Sequence, residues 1–295
     1  MTGASFTSVS EPCPAKLNLF LHVLSRRADG YHNLFSLAGF TEFGDVITIH
    51  PSDTDRTRLT GPFASALDNA GGETIIQRLK AMLRSEGVSL PPTEVVIDKQ
   101  IPLGGGLGGG SADGAGFMRA LAKAGLISGS LDRFIPCLAA IGADIPVCLK
   151  REFQIMRQTG DEVMSAGRPE WLPFCVLANP GIHISTSAVF SALSLQPSRT
   201  EADIEMLVSA GDWETLISLG NDLTAPVQTH HPEIAEMISQ LNVAANDCTG
   251  RFYGAAMSGS GASCFALFEK KEDADRLATQ LKAAGIWAQT SQLVG

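Results

Sequence analysis

The stretch "KQIPLGGGLGGGSADGAGFMRAL", Lys99–Leu121, places seven glycines between Gly104 and Gly114 and then turns apolar with helical spacing. Glycine loses more conformational freedom on folding than any other residue. A run this dense directly before a helix must be offset by bringing bare backbone close to a partner. The segment "EVVID" reads as a short strand leading into it. A glycine-rich turn between strand and helix lets successive N–H groups line a concave anion site, and the helix adds the positive end of its dipole. Ser111 suits the N-cap of a helix starting near Ala112, and its hydroxyl could alternatively face a phosphate or its metal. Asp113 reads as a first-turn carboxylate that complements the dipole. Gly104, Gly106 and Gly109 satisfy G-x-G-x-x-G, but dinucleotide folds carry that fingerprint in their first strand–helix unit. A Walker A loop is excluded in its standard form, because no Gly-Lys-Ser/Thr follows.

Composition narrows what such an anion site can serve. The chain has 295 residues, 44% hydrophobic and 18% charged, with a net charge of −9. That is a globular composition with length for one large domain or two ordinary ones, and its acidity argues against a general nucleic-acid surface. An anionic small molecule would be met by a few placed cations, with Lys16, Arg26, Arg27 and Lys99 as candidates. The six cysteines are scattered through apolar runs without CxxC or zinc spacing, which suits a reducing compartment. The first residues lack the charged and apolar regions of a secretory signal, and no apolar run approaches the ~18 residues of a membrane span. The expectation is a cytoplasmic protein that binds neither nucleic acid nor membrane.

Patterning along the chain predicts strands at Leu17–Leu24, in "DVITIH", in "EVVID", in "PFCVLAN", in "CFALFE" and in "IWAQTSQLV". It predicts helices in "ETIIQRLKAMLRSEG", in "SADGAGFMRALAKAG", in "LDRFIPCLAAIG" with a short apolar segment after it, in "STSAVFSAL", in "PEIAEMISQLNVA" and in "EDADRLATQLKAAG". The compositional divide lies between Gly160 and Pro173. Strands and helices alternate in both halves without a strict βαβ rhythm, so two α+β domains are expected, residues 1–165 and 166–295. A second glycine cluster, "SGSGAS" (Ser258–Ser263), precedes a strand and reads equally as close backbone packing or a second phosphate contact. Asp144, in "IGADIP", has the setting of an ordinary turn carboxylate. Lys16 and Asn18 share one face of a strand. No G-x-S-x-G elbow, HExxH or metal-spaced histidine set occurs.

Four segments, "PAKLNLFLHVLSRRADGYHNL", "IPLGGGLGGGSADGAG", "IGADIPVCL" and "SGSGASCFALFE", occur in this order across nearly the whole chain. Together they resemble the galactokinase–homoserine kinase–mevalonate kinase–phosphomevalonate kinase superfamily, the GHMP kinases. "PAKLNLFLHV" with "RADGYH" and "GLGGGSADGAG" is similar to its branch that phosphorylates the 2-hydroxyl of a cytidine diphosphate methylerythritol, on the methylerythritol phosphate route to isoprenoid precursors. The resemblance implies an α+β fold in two domains. The N-terminal ATP-binding domain would be like the second domain of ribosomal protein S5, the C-terminal domain ferredoxin-like, and the active site would lie in the cleft between them. It implies ATP and Mg²⁺, with no protein metal ligand assigned, and a monomer or weak homodimer.

By the same resemblance, Lys99, Pro102, Leu103, Gly104, Gly105, Gly106, Leu107, Gly108, Gly109, Gly110, Ser111 and Ala112 would surround the ATP. Asp144 would accept the hydroxyl proton, and Lys16 would keep that carboxylate ionised and ease charge on the alkoxide. Asn18 would hydrogen-bond at the reacting end, Tyr31 and Phe190 would flank the cytosine, and His32 would bond its edge. Thr186, Gly259 and Gly261 would complete the substrate site. This chain departs from the family pattern at Ala112, where a second serine is commoner, and at Gly114 and Gly116, which imply a looser helix start. It also has Glu73-Thr74-Ile75 where relatives show Asn-Leu, so no adenine contact is assigned there. The alternatives are a superfamily kinase for mevalonate, homoserine or a sugar, a nucleotide-binding regulatory module, and a dehydrogenase. Tyr31, His32 and Phe190 suit a planar base, and Lys16 with Asp144 suits chemistry.

Overall fold

Apolar alternation and helix caps set the elements. In chain order they begin with strands β1 (Val9–Arg26), β2 (His32–Pro51) and β3 (Arg56–Thr60), helix α1 (Ile75–Ser85), β4 (Thr93–Asp98) and α2 (Gly109–Lys123). A 3-10 turn, Leu131–Phe134, leads into α3 (Ile135–Ile141) and α4 (Ile145–Lys150), followed by β5 (Gln154–Gln158), β6 (Glu162–Ser165) and β7 (Phe174–Asn179). Among the described residues there follow α5 (Thr186–Ala192), α6 (Glu201–Ala210), α7 (Trp213–Ser218), α8 (Thr224–His230) and α9 (Pro232–Val243). The chain closes with β8 (Phe252–Met257), β9 (Cys264–Phe268), α10 (Lys271–Ala283) and β10 (Trp287–Val294). These come from a computed structural model, which describes residues 6–66, 73–167, 169–194, 200–210 and 212–295.

The chain forms two compact units. The first takes the N-terminal segment to Ala15, Gly44–Leu103 and Gly108–Lys150; the second takes Lys16–Phe43, Gly104–Leu107 and Arg151–Gly295. In the first unit β4 buries Thr93, Val95 and Ile97 on one face. It pairs antiparallel with Val46–Pro51 of β2 and parallel with β3. Helix α1 opens with a capping box, Thr74 to Gln77, that satisfies two backbone donors reciprocally. It buries Ile76, Leu79 and Leu83.

Helix α2 starts earlier than the sequence suggests. Gly108 is its N-cap at φ +65°, with no side-chain cap, so Ser111 lies within the first turn and does not cap it. The left-handed Gly108 turns the chain in, and the Ala112 N–H closes the first helical ring on the Gly108 carbonyl at 2.8 Å. Asp113 therefore sits beyond the first turn, and it is buried. Nor do Gly114 and Gly116 loosen the helix. A Cβ at Gly116 would lie 2.2 Å from Cys13 Sγ, and one at Gly114 would lie 3.1 Å from Ile75. Both let α2 pack closely. The apolar segment after Gly142 is helical (α4). Its last carbonyls are held by α2: Arg119 donates to Cys148 O at 2.7 Å and also to Pro12 O at 2.8 Å.

In the second unit, β10, β7, β9 and β8 form an antiparallel sheet in that order. Numbered along the chain this is fourth, first, third, second, with helices after the first and third strands, the ferredoxin-like arrangement. Its core joins Val176, Ala178, Ala266 and Phe268 to Leu277 and Leu281 of α10 and to Ile234 and Leu241 of α9. The first half of β2 pairs with β5, Leu34–Ala38 against Gln154–Gln158, and Phe40–Thr41 meet Leu293–Val294 of β10. All six cysteines are free, and Cys13, Cys148, Cys175 and Cys264 are buried. Among the described residues no helix is long and apolar enough to cross a membrane.

Candidate active site

Within the second unit, one hydrogen-bond network joins Lys16 and Asn18 to Gly105, Gly106 and Leu107. Lys16 and Asn18 alternate inward on β1 and are 4% and 2% exposed. The Lys16 ammonium donates to Asn18 Oδ1 at 3.0 Å, and Asn18 Nδ2 donates to Ser36 Oγ at 2.8 Å. The Asn18 N–H donates to Ser258 Oγ, whose hydroxyl in turn donates to Gly106 O at 2.9 Å. The Lys16 N–H donates to Leu107 O at 2.9 Å, and the Ser263 N–H donates to Gly105 O at 2.9 Å. The carbonyls of three successive residues, Gly105, Gly106 and Leu107, are thus all held by β1 and the Ser258–Ser263 loop.

That pattern fixes where the N–H groups point. In a planar trans peptide the N–H is directed opposite to the carbonyl, so the amides of Gly106, Leu107 and Gly108 face away from β1 and the Ser258–Ser263 loop. Gly104, Gly106 and Gly108 have φ of +62°, +74° and +65°, alternating with residues of ordinary hand. Such alternation builds the backbone concavity that binds anions. Gly106 cannot be replaced without movement, since a Cβ there would lie 2.2 Å from Ser258 O. Four helix-start amides, in the next turn, have no partner inside the helix, and at Gly110 a Cβ would meet nothing within 4 Å.

The remaining substrate candidates of this unit lie on α5, in the Ser258–Ser263 loop and at the start of β2. Thr186 Oγ1, at the start of α5, is 2.8 Å from Ser260 Oγ. Gly259 is held by Asn221, whose side-chain amide donates to Gly259 O at 2.8 Å and Met257 O at 2.9 Å. Gly261, at φ +80°, packs against Met257. The His32 and Phe190 rings stack with centroids 5.1 Å apart and planes 28° from parallel. Burial, aided by the Arg26 charge, lowers the His32 pKa, so the ring is neutral at neutral pH. Tyr31, next in the turn, is 66% exposed.

The first unit holds Pro102, Leu103, Gly108–Ala112, Lys99 and Asp144. Asp144 is half-buried immediately before α4, and its carbonyl accepts from the Cys148 N–H at 3.1 Å. A Cβ built two residues earlier, on Gly142, would lie 3.8 Å from Ser111 Oγ, so the Asp144 segment packs beside the first turn of α2. Lys99 departs from expectation. Its side chain is 1% exposed and its ammonium is ion-paired with both Asp45 and Asp113, the latter at 2.6 Å. Two carboxylates occupy it inside the core, so it presents no ammonium to a phosphate. Asp113 is correspondingly an ion-pair partner and not a dipole complement.

The chain compares closely with known proteins. The GHMP kinases N terminal domain model matches residues 73–151, and the GHMP kinases C terminal model matches residues 205–286. A 4-diphosphocytidyl-2-C-methyl-D-erythritol kinase of Parvibaculum lavamentivorans is 38% identical over 97% of this chain and 99% of its own. The chain belongs to the GHMP kinase family, in its 4-diphosphocytidyl-2-C-methyl-D-erythritol kinase branch. A Rhodopseudomonas palustris protein of the same name is 33% identical over 97% of this chain and 99% of its own. The crystal structure of a 4-(cytidine 5'-diphospho)-2C-methyl-D-erythritol kinase is 27% identical, with a TM-score of 0.78 over 97% of this chain and 100% of that one. A homoserine kinase from Cytophaga hutchinsonii, 18% identical with a TM-score of 0.66 over 100% of this chain and 96% of that one, shares the fold. The chain is accordingly an ATP-dependent kinase with an α+β fold.

Sequence reading passed over Ser36, Asp45, Asn221 and Ser258, although they hold the site together. Ser258 opens the glycine cluster that drew attention, so its position was readable. Ser36, Asp45 and Asn221 have no local pattern, because their partners are 18, 54 and 38 residues away in sequence.

Proposed function

We propose that this kinase transfers the γ-phosphoryl group of ATP to the 2-hydroxyl of 4-diphosphocytidyl-2-C-methyl-D-erythritol. The observation that carries the reading is the near-full-length similarity to relatives that bear this substrate in their names. The stacked His32–Phe190 pair supports it, since a cytosine uses a planar surface and a small hydroxy acid does not. In the proposed site the amides from Gly104 to Ser111 surround the triphosphate, with Pro102 and Leu103 at the entry and Ala112 closing the first helical turn behind them. Tyr31, His32 and Phe190 take the cytosine, and Asn18, Thr186, Gly259 and Gly261 line the rest of the acceptor.

Transfer forms a bond from the acceptor oxygen to the γ-phosphorus and breaks the bond from that phosphorus to the β–γ bridging oxygen, releasing ADP. A tertiary alcohol holds its proton tightly, so Asp144 takes it late, as the new bond forms. Lys16 offsets negative charge around the reacting oxygens. Most of the rate then comes from positioning and charge stabilisation. Mg²⁺ would be held by the nucleotide phosphates, waters and one or two protein oxygens. Among the described residues no group of three or more His, Cys, Asp or Glu is placed to hold a metal ion. Ser111, in the first turn of α2, is the hydroxyl that would face the phosphate or this ion. When bound, the ion neutralises charge on the phosphate oxygens.

Phosphorus NMR of the protein with ATP, Mg²⁺ and the cytidylylated methylerythritol tests the reading. The expected result is a new phosphomonoester resonance with matching ADP. ADP formed only with mevalonate, homoserine or a sugar would replace this substrate with another.

A further inference from the structure

The buried ion cluster under α2 has no part in the reaction just described. Lys99, Asp45 and Asp113 have side chains 1%, 0% and 2% exposed. Asp45 Oδ1 accepts the N–H groups of Gln100 at 2.6 Å and Ile101 at 2.8 Å, gripping the chain just before Pro102. Asp45 Oδ2 takes the Lys99 ammonium, which also donates to Asp113 Oδ2, one residue past the ring that closes the helix start. Gly109 lies directly over the cluster, since a Cβ there would be 3.4 Å from Asp45 Oδ2. One ammonium therefore ties the residues that enter the glycine stretch to the residues that leave it.

We propose that Lys99, Asp45 and Asp113 are positioning residues that hold both ends of the glycine stretch and thereby set its affinity for nucleotide phosphates. The proposal rests on the reading of that stretch as the ATP site. Burying three charged groups is a poor way to gain stability, because well-packed apolar residues of similar volume often do as well or better. Such a cluster does impose one geometry, and a misplacement of about 1 Å at a positioning group can cost roughly a hundredfold.

The cluster also sets local charge. With both carboxylates ionised it carries one net negative charge under a turn meant for polyphosphate. Asp113 Oδ1 is buried with no hydrogen-bond partner among the described residues. Burial, reinforced by the Asp45 charge and opposed by Lys99, pushes the Asp113 carboxyl up to about 7. Burial pulls the Lys99 ammonium down, but Asp113 and then Asp45 more than offset this and leave it above its ordinary value. The Cys13 thiol on β1, which feels the Asp113 charge, is pushed well up by burial. From α1 and α4 the neighbouring side chains at Gly114 are Ile75, Leu79 and Ile145. Below pH 7 the cluster is neutral, and above it a negative charge opposes the phosphates.

Calorimetric titration of Mg²⁺-ADP into wild type, Lys99→Met and Asp113→Asn at pH 6 and pH 8, with KM for both substrates, tests this. Lys99→Met should weaken ADP by at least about tenfold while the acceptor KM stays within about threefold. Wild type should bind ADP more weakly at pH 8 than at pH 6. Asp113→Asn, locked neutral, should lose that difference, and comparison between proteins cancels the nucleotide's own titration. A folded Lys99→Met with unchanged ADP affinity, or an Asp113→Asn with the wild-type pH dependence, overturns the proposal. If Lys99→Met does not fold, the near-isosteric Asp113→Asn decides. Wild type that binds no ADP overturns the ATP reading itself and the triad role with it.

Discussion

Gly104–Leu107 and Gly108–Gly110 are adjacent halves of one glycine-rich stretch, yet their glycines are needed for different reasons. In the first half the protein itself is the close neighbour. Three successive carbonyls are engaged by Ser263, Ser258 and Lys16, and a side chain on Gly106 would strike the Ser258 carbonyl. In the second half the chain enters a helix whose first amides have no internal partner, and around Gly110 there is open space. The first half is glycine so that backbone can pack on backbone, which aims the amides. The second half is glycine so that a ligand can approach them.

The substitution expected to do most harm is Gly106→Ala. It combines a φ of +74° with a 2.2 Å clash against backbone, so it should destabilise the fold by about 2–4 kcal/mol and abolish measurable ATP binding. Thermal melting with ADP titration checks both. A normal melting temperature would show that the first half is not packed as described. Next comes Asp144→Asn, which leaves both halves of the stretch intact. It should cut turnover by at least about a hundredfold with ADP affinity little changed. Near-wild-type turnover would remove Asp144 as the base, and a parallel loss of ADP affinity would join it to the binding half.

The smallest effect, and the most discriminating, is Gly110→Ala. Alanine is the better helix former by about 0.5–1 kcal/mol, so the protein should melt slightly higher. The added methyl should nevertheless raise the ATP KM several-fold and spare the acceptor KM. If KM for ATP is unchanged, the second half is an ordinary helix start. Asp113 adds a pH term of known sign. Its folded pKa, about 7, exceeds the usual carboxylate value, so the folded state holds the extra proton between these limits. This group's contribution to stability therefore falls as pH rises from about 4 to 7. Asp113→Asn should flatten that part of the stability profile in denaturant titrations, and an unchanged slope would place the titration elsewhere.

Much of this was legible in the sequence because it is local. The glycine stretch, the strand "EVVID" and the helices around "ETIIQRLKAM" and "EDADRLATQL" follow from residue spacing and caps, and the structure has them within a few residues. The start of α2 was misplaced because a left-handed glycine at 108 can begin a helix without a capping side chain. Lys99 was misread for a different reason. A lysine before a phosphate-binding loop suggests a cation for the ligand, and only the fold brings Asp45, 54 residues away, to meet it. Asn221 was invisible for the same cause, since its bond to the Gly259 carbonyl depends on tertiary packing and not on neighbours in the chain.

The orientation of the amides is open to direct observation. In ¹H–¹⁵N correlation spectra titrated with Mg²⁺-ADP, the resonances of Gly106, Leu107 and Gly108–Ser111 should move most, to a common saturation point. Resonances that shift elsewhere while these stay fixed would show that the stretch does not hold the phosphates.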